Sequence, residues 1–206
     1  MRIGPTTSRR ALVGAAAVAL VVGVVAGCSG GNAKPGPSAT TAPSAPTASV
    51  SPTPTASPTP DASVKPVRPA AMDQVSAAGA EAVAVYFLQL FPYIFASGDL
   101  TEWKALSHPE CVYCASVLSG AEKMIAAGNR AEGGLVKISA VRSTVINPGR
   151  WWSVDLDMAQ APSVTVDGSG KVVEDFPKAK TYHWTVAVVY DADHWALREL
   201  SYTRTD

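Results

Sequence analysis

Residues 133–158 read GGLVKISAVRSTVINPGRWWSVDLDM, and the fold turns on them. After Gly133-Gly134 the apolar period changes from helical to two. The spacing predicts one strand over 135–146, stopped by Asn147-Pro148-Gly149, and a second over 151–158. In the second, Trp152, Val154, Leu156 and Met158 share one face, while Ser153, Asp155 and Asp157 share the other. Past a break at Pro162 the pattern allows this strand to extend as far as Val166. Asp167-Gly168-Ser169-Gly170 reads as a turn. Residues 179–190 and 194–203 then form a hairpin around Asp191-Ala192-Asp193.

Upstream the period is helical. Val75, Gly79, Ala82, Val83, Tyr86, Leu90 and Ile94 form a stripe over a helix spanning about 72–96,. Gly98 suits a left-handed cap at its end, and Pro92 removes one backbone bond inside it. The apolar run 80–96 contains Glu81, Gln89 and Pro92 and is short for a membrane span, which needs ~20 residues. A short helical turn surrounds Trp103. A third helix is expected with Ser107 as N-cap and Pro109 in its first turn, running to Gly128-Asn129. Helices followed by strands specify α+β, with the helices packed on one face of an antiparallel sheet of about four strands.

That order of elements resembles the cone-shaped, nuclear transport factor 2-like class, which implies a curved sheet. A second resemblance rests on residues. Gly79-Ala80-Glu81-Ala82, Tyr86-Phe87, Ser97-Gly98-Asp99, Cys111-Val112-Tyr113-Cys114 and Gly133-Gly134 occur in that order over most of 71–206. Behind the N-terminal features described next, the set resembles actinobacterial lipoproteins of a family with no assigned function. The resemblance implies location and a cone-shaped domain, and it brings no catalytic residues.

The N-terminus reads as an address. Arg2, Arg9 and Arg10 precede ALVGAAAVALVVGVVA at 11–26, and Val25-Ala26-Gly27-Cys28 follows. This is the secretory layout. A hydrophobic residue, two small residues and Cys resemble a lipobox, which implies lipidation of Cys28 and removal of residues 1–27. Ser8-Arg9-Arg10 fits either a twin-arginine signal or an ordinary positive n-region. Residues 29–70 hold ten Pro, eight Ala, seven Ser and six Thr, with no aromatic residue, Leu or Ile. Such a segment buries too little apolar surface to offset chain entropy. The expected organisation is therefore a signal peptide over 1–27, a lipidated Cys28 with a disordered stalk over 28–70, and a globular domain over 71–206.

Three cysteines make an odd count for an exported chain,. With lipid on Cys28, Cys111 and Cys114 remain as a pair. A structural disulfide is the ordinary outcome outside the cytoplasm; the competing redox role needs a thioredoxin-like βαβ setting. From Ala71 onward 11 basic residues face 16 acidic ones, so a nucleic-acid partner is not expected. His108, His183 and His194 lack zinc-type spacing, and no metal, cofactor or catalytic set is expected. Tyr86, Trp103, Trp152 and Trp184 are candidates for lining a pocket, with core packing as the plainer alternative. These readings describe a membrane-anchored lipoprotein at the outer face of the cell envelope, binding an envelope protein or a small ligand. The alternatives are a pocket-bearing enzyme of the cone-shaped class and a structural or assembly lipoprotein.

Overall fold

The computed structural model describes residues 61–206. The expected signal peptide over 1–27, with Val25, Ala26, Gly27 and Cys28, and most of the expected stalk lie outside the described residues. The packed chain starts earlier than the expected boundary at 71. Ala62 is buried and Lys65 pairs with Glu102 at 3.1 Å. Residues 61–70 are thus laid against the domain despite their stalk-like composition, with Met72 following into the core.

Helix α1 spans Ala77–Ser97. A 3-10 turn at Ala70–Asp73 precedes it, so the expected start at Met72 was too early. The Ser76 hydroxyl accepts from the Gly79 amide and caps the true start,. At the other end Gly98 has φ 76° and donates its amide to the Ile94 carbonyl, as the glycine cap required. The helix is long and apolar enough to cross a membrane by composition. Eleven of its residues are buried, which makes it the core helix of the domain.

Helix α2 (Thr101–Leu106) and helix α3 (Val112–Ala126) follow. The expected N-cap of α3 at Ser107 is replaced by Cys111, whose sulfur accepts from the Cys114 amide. Residues 107–110 serve instead to dock the chain on the sheet. Ser107 bridges Leu197, and the His108 amide donates to the Leu197 carbonyl. The plain helical pattern from 109 could not reveal that tertiary contact.

Among the described residues seven strands form two sheets. They are β1 (Arg130–Gly133), β2 (Val136–Asn147), β3 (Trp151–Gln160), β4 (Ser163–Val166), β5 (Val172–Phe176), β6 (Lys180–Asp191) and β7 (His194–Arg204). The four strands expected from the period of two are β2, β3, β6 and β7, an antiparallel sheet in the order β2-β3-β6-β7. Trp152, Val154, Leu156 and Met158 are its buried row. Register shifts interrupt β2 and β7, the irregularities that bend a sheet. Ala192 and Asp193 both have positive φ, as a two-residue hairpin turn demands,.

The small sheet β1-β4-β5 was not anticipated. Residues 130–133, past the expected end of the third helix, form a strand, and the expected extension of 151–158 to Val166 is a separate strand in a different sheet. Short, mostly exposed strands carry little periodic signal. The class is α+β, with helices packed against antiparallel sheets, and the element order is that of the cone-shaped class.

Candidate functional site

The four aromatics offered as pocket lining do not meet in one pocket. Tyr86 and Trp103 are fully buried and Trp152 is nearly so. Trp103 stacks on Phe87 with centroids 3.9 Å apart and donates its indole N–H to the Cys114 carbonyl. Trp152 packs 5.2 Å from Trp195, which donates to the Met72 carbonyl. These three fill the cone. They are corrected from pocket to core, because indole and phenol rings are the largest apolar payload the domain can bury.

Trp184 differs. It stands among Tyr113 (5.3 Å), Tyr182 (6.1 Å) and Tyr202 (4.8 Å), at ring-centroid distances typical of offset and edge contacts,. This cluster borders a small cavity of about 130 Å³, with Leu88, Phe91 and Met158 behind it. Phe91, Gln160 and Tyr182 also line a larger cleft of about 310 Å³. The two are therefore adjoining parts of one trough.

The larger cleft lies where the small sheet leaves the large one. Helix α1 contributes Phe91 and Phe95, 5.1 Å apart. The end of β3 supplies Gln160, β4 supplies Ser163 and Thr165, and β5 supplies Phe176. Lys178 and Lys180 lie on the lining, with Lys180 Nζ 5.2 Å from the Phe176 ring centroid. Glu174 is the acid on the same lining. Gly133 and Gly134 form the turn beside it, both with positive φ. A Cβ on Gly133 would come within 2.7 Å of the Pro162 carbonyl oxygen. The glycine pair thus lets the chain pass close to β4.

Burial, reinforced by the neighbouring phenols, drives the Tyr113 pKa well above the ordinary phenol value,. Burial raises Tyr182 as well. Both hydroxyls stay protonated at neutral pH, so they offer ring faces and O–H groups rather than bases. The three histidines lie elsewhere. His183 pairs with Asp157 at 2.8 Å on the solvent side of the sheet. His108 sits near Arg198, and His194 is at the β6–β7 turn. Among the described residues no group of three or more His, Cys, Asp or Glu is placed to hold a metal. A polar hollow of about 300 Å³ beside His108 and Trp151 contains Arg150 and Arg198, but Asp191 and Glu110 pair with them.

Cys111 and Cys114 form a disulfide, and both residues are 1% exposed. A bridge so enclosed is out of reach of an exchanging thiol. Between the cysteines, Val112 points to solvent and Tyr113 joins the aromatic cluster. Of the four aromatics expected to line a pocket, Trp184 is the one that borders the trough. Tyr182-x-Trp184 on alternate positions of β6 was the available signal. Phe91, Phe95, Gln160, Phe176, Lys178, Lys180 and Tyr202 come together through tertiary packing.

The sequence profile of the Family of unknown function (DUF6318) matches residues 54–201. The chain belongs to this family. No curated protein sequence matches it. The DUF6318 chain is similar in structure to the intermembrane space region of the chloroplast protein ARC6, at 12% identity and TM-score 0.49, over 64% of this chain and 99% of that one. It is also similar to an uncharacterized protein with a cystatin-like fold from Caulobacter vibrioides, at 9% identity and TM-score 0.41, over 62% and 91%. A third likeness is to a proposed polyketide cyclase from Xanthomonas campestris pv. campestris, at 10% identity and TM-score 0.31, over 59% and 90%. At these scores the likenesses say nothing about ligand or activity of the DUF6318 domain.

Proposed function

We propose that this protein is a lipoprotein of the cell envelope, tethered to the outer face of a membrane through Cys28, whose DUF6318 domain is a non-catalytic binding module for a small ligand. The carrying observation is the aromatic trough between α1 and the two sheets: concave, mostly apolar, with a few polar groups along one side,. Burial moves the Tyr113 and Tyr182 phenols further above the ordinary tyrosine value, so neither is suited to act as a base, which favours binding over proton transfer. With Tyr86, Trp103 and Trp152 packed into the interior, the trough is the hollow richest in aromatic side chains among those on the described residues. The tether rests on Val25-Ala26-Gly27-Cys28 behind an apolar run. Pairing of Cys111 with Cys114 supports it, because Cys28 is then the cysteine left for lipid.

Two measurements test the two halves. In detergent phase partition of cell extracts, the intact protein is expected in the detergent phase and a Cys28→Ser variant in the aqueous phase. Equal partition removes the tether. For the trough, titration with the neutral amphiphile decanol is expected to change tryptophan fluorescence and to saturate. Ala161→Trp places an indole at the trough from an exposed position and should abolish that saturation. An unaltered titration in this variant removes the trough as the binding site.

A further inference from the structure

The lining of the trough is not electrically neutral. The domain from Ala71 onward is acidic, with 11 basic against 16 acidic residues. Five of those basic side chains, Lys104, Arg130, Arg150, Arg198 and Arg204, are paired with carboxylates. Lys178 and Lys180 have no acidic partner within ion-pair distance among the described residues, and both line the trough. Lys180 is half-buried and rests on the Phe176 ring, which holds its charge at the wall. Glu174 opposes them from β5, so the lining carries one excess positive charge. Thr165, buried, and Ser163 and Gln160 add polar groups nearby.

Size narrows the guest further. A volume of about 310 Å³ is at the lower end of the ~300–1,000 Å³ range of ligand pockets. That suits one chain rather than a two-chain lipid. The small cavity bounded by Leu88, Met158 and Trp184 continues from Phe91 and Tyr182 and has an apolar lining suited to a tail.

Building on the trough as a binding site, we infer that it takes a monomeric single-chain amphiphile ending in a carboxylate. The chain lies along Phe91 and Tyr182 toward Trp184, and the carboxylate sits at Lys178 and Lys180, away from Glu174. Binding therefore discriminates by the sign of the head group.

Three probes of equal chain length make the test on the mature chain carrying Cys28→Ser: decanoate, decanol and decyltrimethylammonium, each below its micelle concentration, by calorimetric titration. Decanoate is expected to bind about fivefold tighter than decanol, the size of a partly exposed charge pair, with the cation weakest. Within a Lys178→Gln plus Lys180→Gln variant, decanoate is expected to bind no tighter than decanol; a preserved gap of about fivefold there overturns the inference. Glu174→Gln should widen the gap, and raised salt should narrow it. Lys178 and Glu174 are exposed and Lys180 is half-buried, so the variants are expected to melt within a few degrees of the wild type. Equal affinity for decanoate and decanol overturns the inference but leaves the binding trough. Absence of binding by all three overturns both. Association with phosphatidylglycerol vesicles but not with decanoate assigns the lysines to a membrane surface and overturns the inference.

Discussion

At the scale of single residues, the run Gly79-Ala80-Glu81-Ala82 has a packing explanation. A Cβ at Gly79 would fall 2.0 Å from the Gln74 carbonyl oxygen and 3.0 Å from the Trp195 ring. Glycine permits the 3-10 turn and the tryptophan to close on the first turn of α1. In an open helix Gly→Ala gains about 1 kcal/mol. Here Gly79→Ala is expected to cost about 2 kcal/mol instead, because backbone must move. Thermal melting decides the sign, and a stabilised variant would contradict the contact. Two residues on, the Glu81 carboxylate accepts from both the amide and the hydroxyl of Ser143, at 3.0 and 2.7 Å. It thereby satisfies a backbone donor on edge strand β2, a group that otherwise invites pairing with another chain.

Among the elements, the start of α3 couples stability to the trough. The Cys111–Cys114 bridge closes its first turn, and the Trp103 indole donates to the Cys114 carbonyl inside the core. Tyr113, between the cysteines, is thereby held against Trp184 and Tyr202. Closing a loop this short stabilises by only about 2 kcal/mol, so positioning is its larger effect. The double substitution Cys111→Ala, Cys114→Ala is expected to lower the melting temperature modestly. It should also speed amide exchange at residues 112–115 and weaken decanol binding. Unchanged exchange there would show that the bridge does not hold the helix start.

For the whole molecule, the phenols set an upper pH limit. Burial is the leading cause raising Tyr86, Tyr93, Tyr113 and Tyr182 above the ordinary tyrosine value. A group whose pKa is higher folded than unfolded contributes stability fully present below its unfolded value, here about 10, and lost as pH rises through the folded one. Stability toward urea is therefore expected to fall with pH above about 10, with the tyrosinate absorbance of these four phenols appearing together with unfolding. Tyr113→Phe should make that fall shallower. A fall of the same slope in this variant would show that Tyr113 is not among the groups responsible.

What the chain declared on its own was whatever repeats along it. The period of two marked all four strands of the large sheet, the helical period marked α1, and Gly98 marked its end. The order of these elements sufficed for α+β. Cys111 and Cys114 were legible as a pair once Cys28 was set aside for lipid. Tertiary structure decided the rest. It set the small sheet, the docking of 61–70, the cap of α3, and which tryptophans fill the core and which one borders the trough. Those outcomes depend on contacts between residues far apart in sequence, such as Tyr113 with Tyr202 or Phe91 with Tyr182. Local propensity carries no record of such meetings, because the free energy that selects them is released only when distant surfaces are buried together.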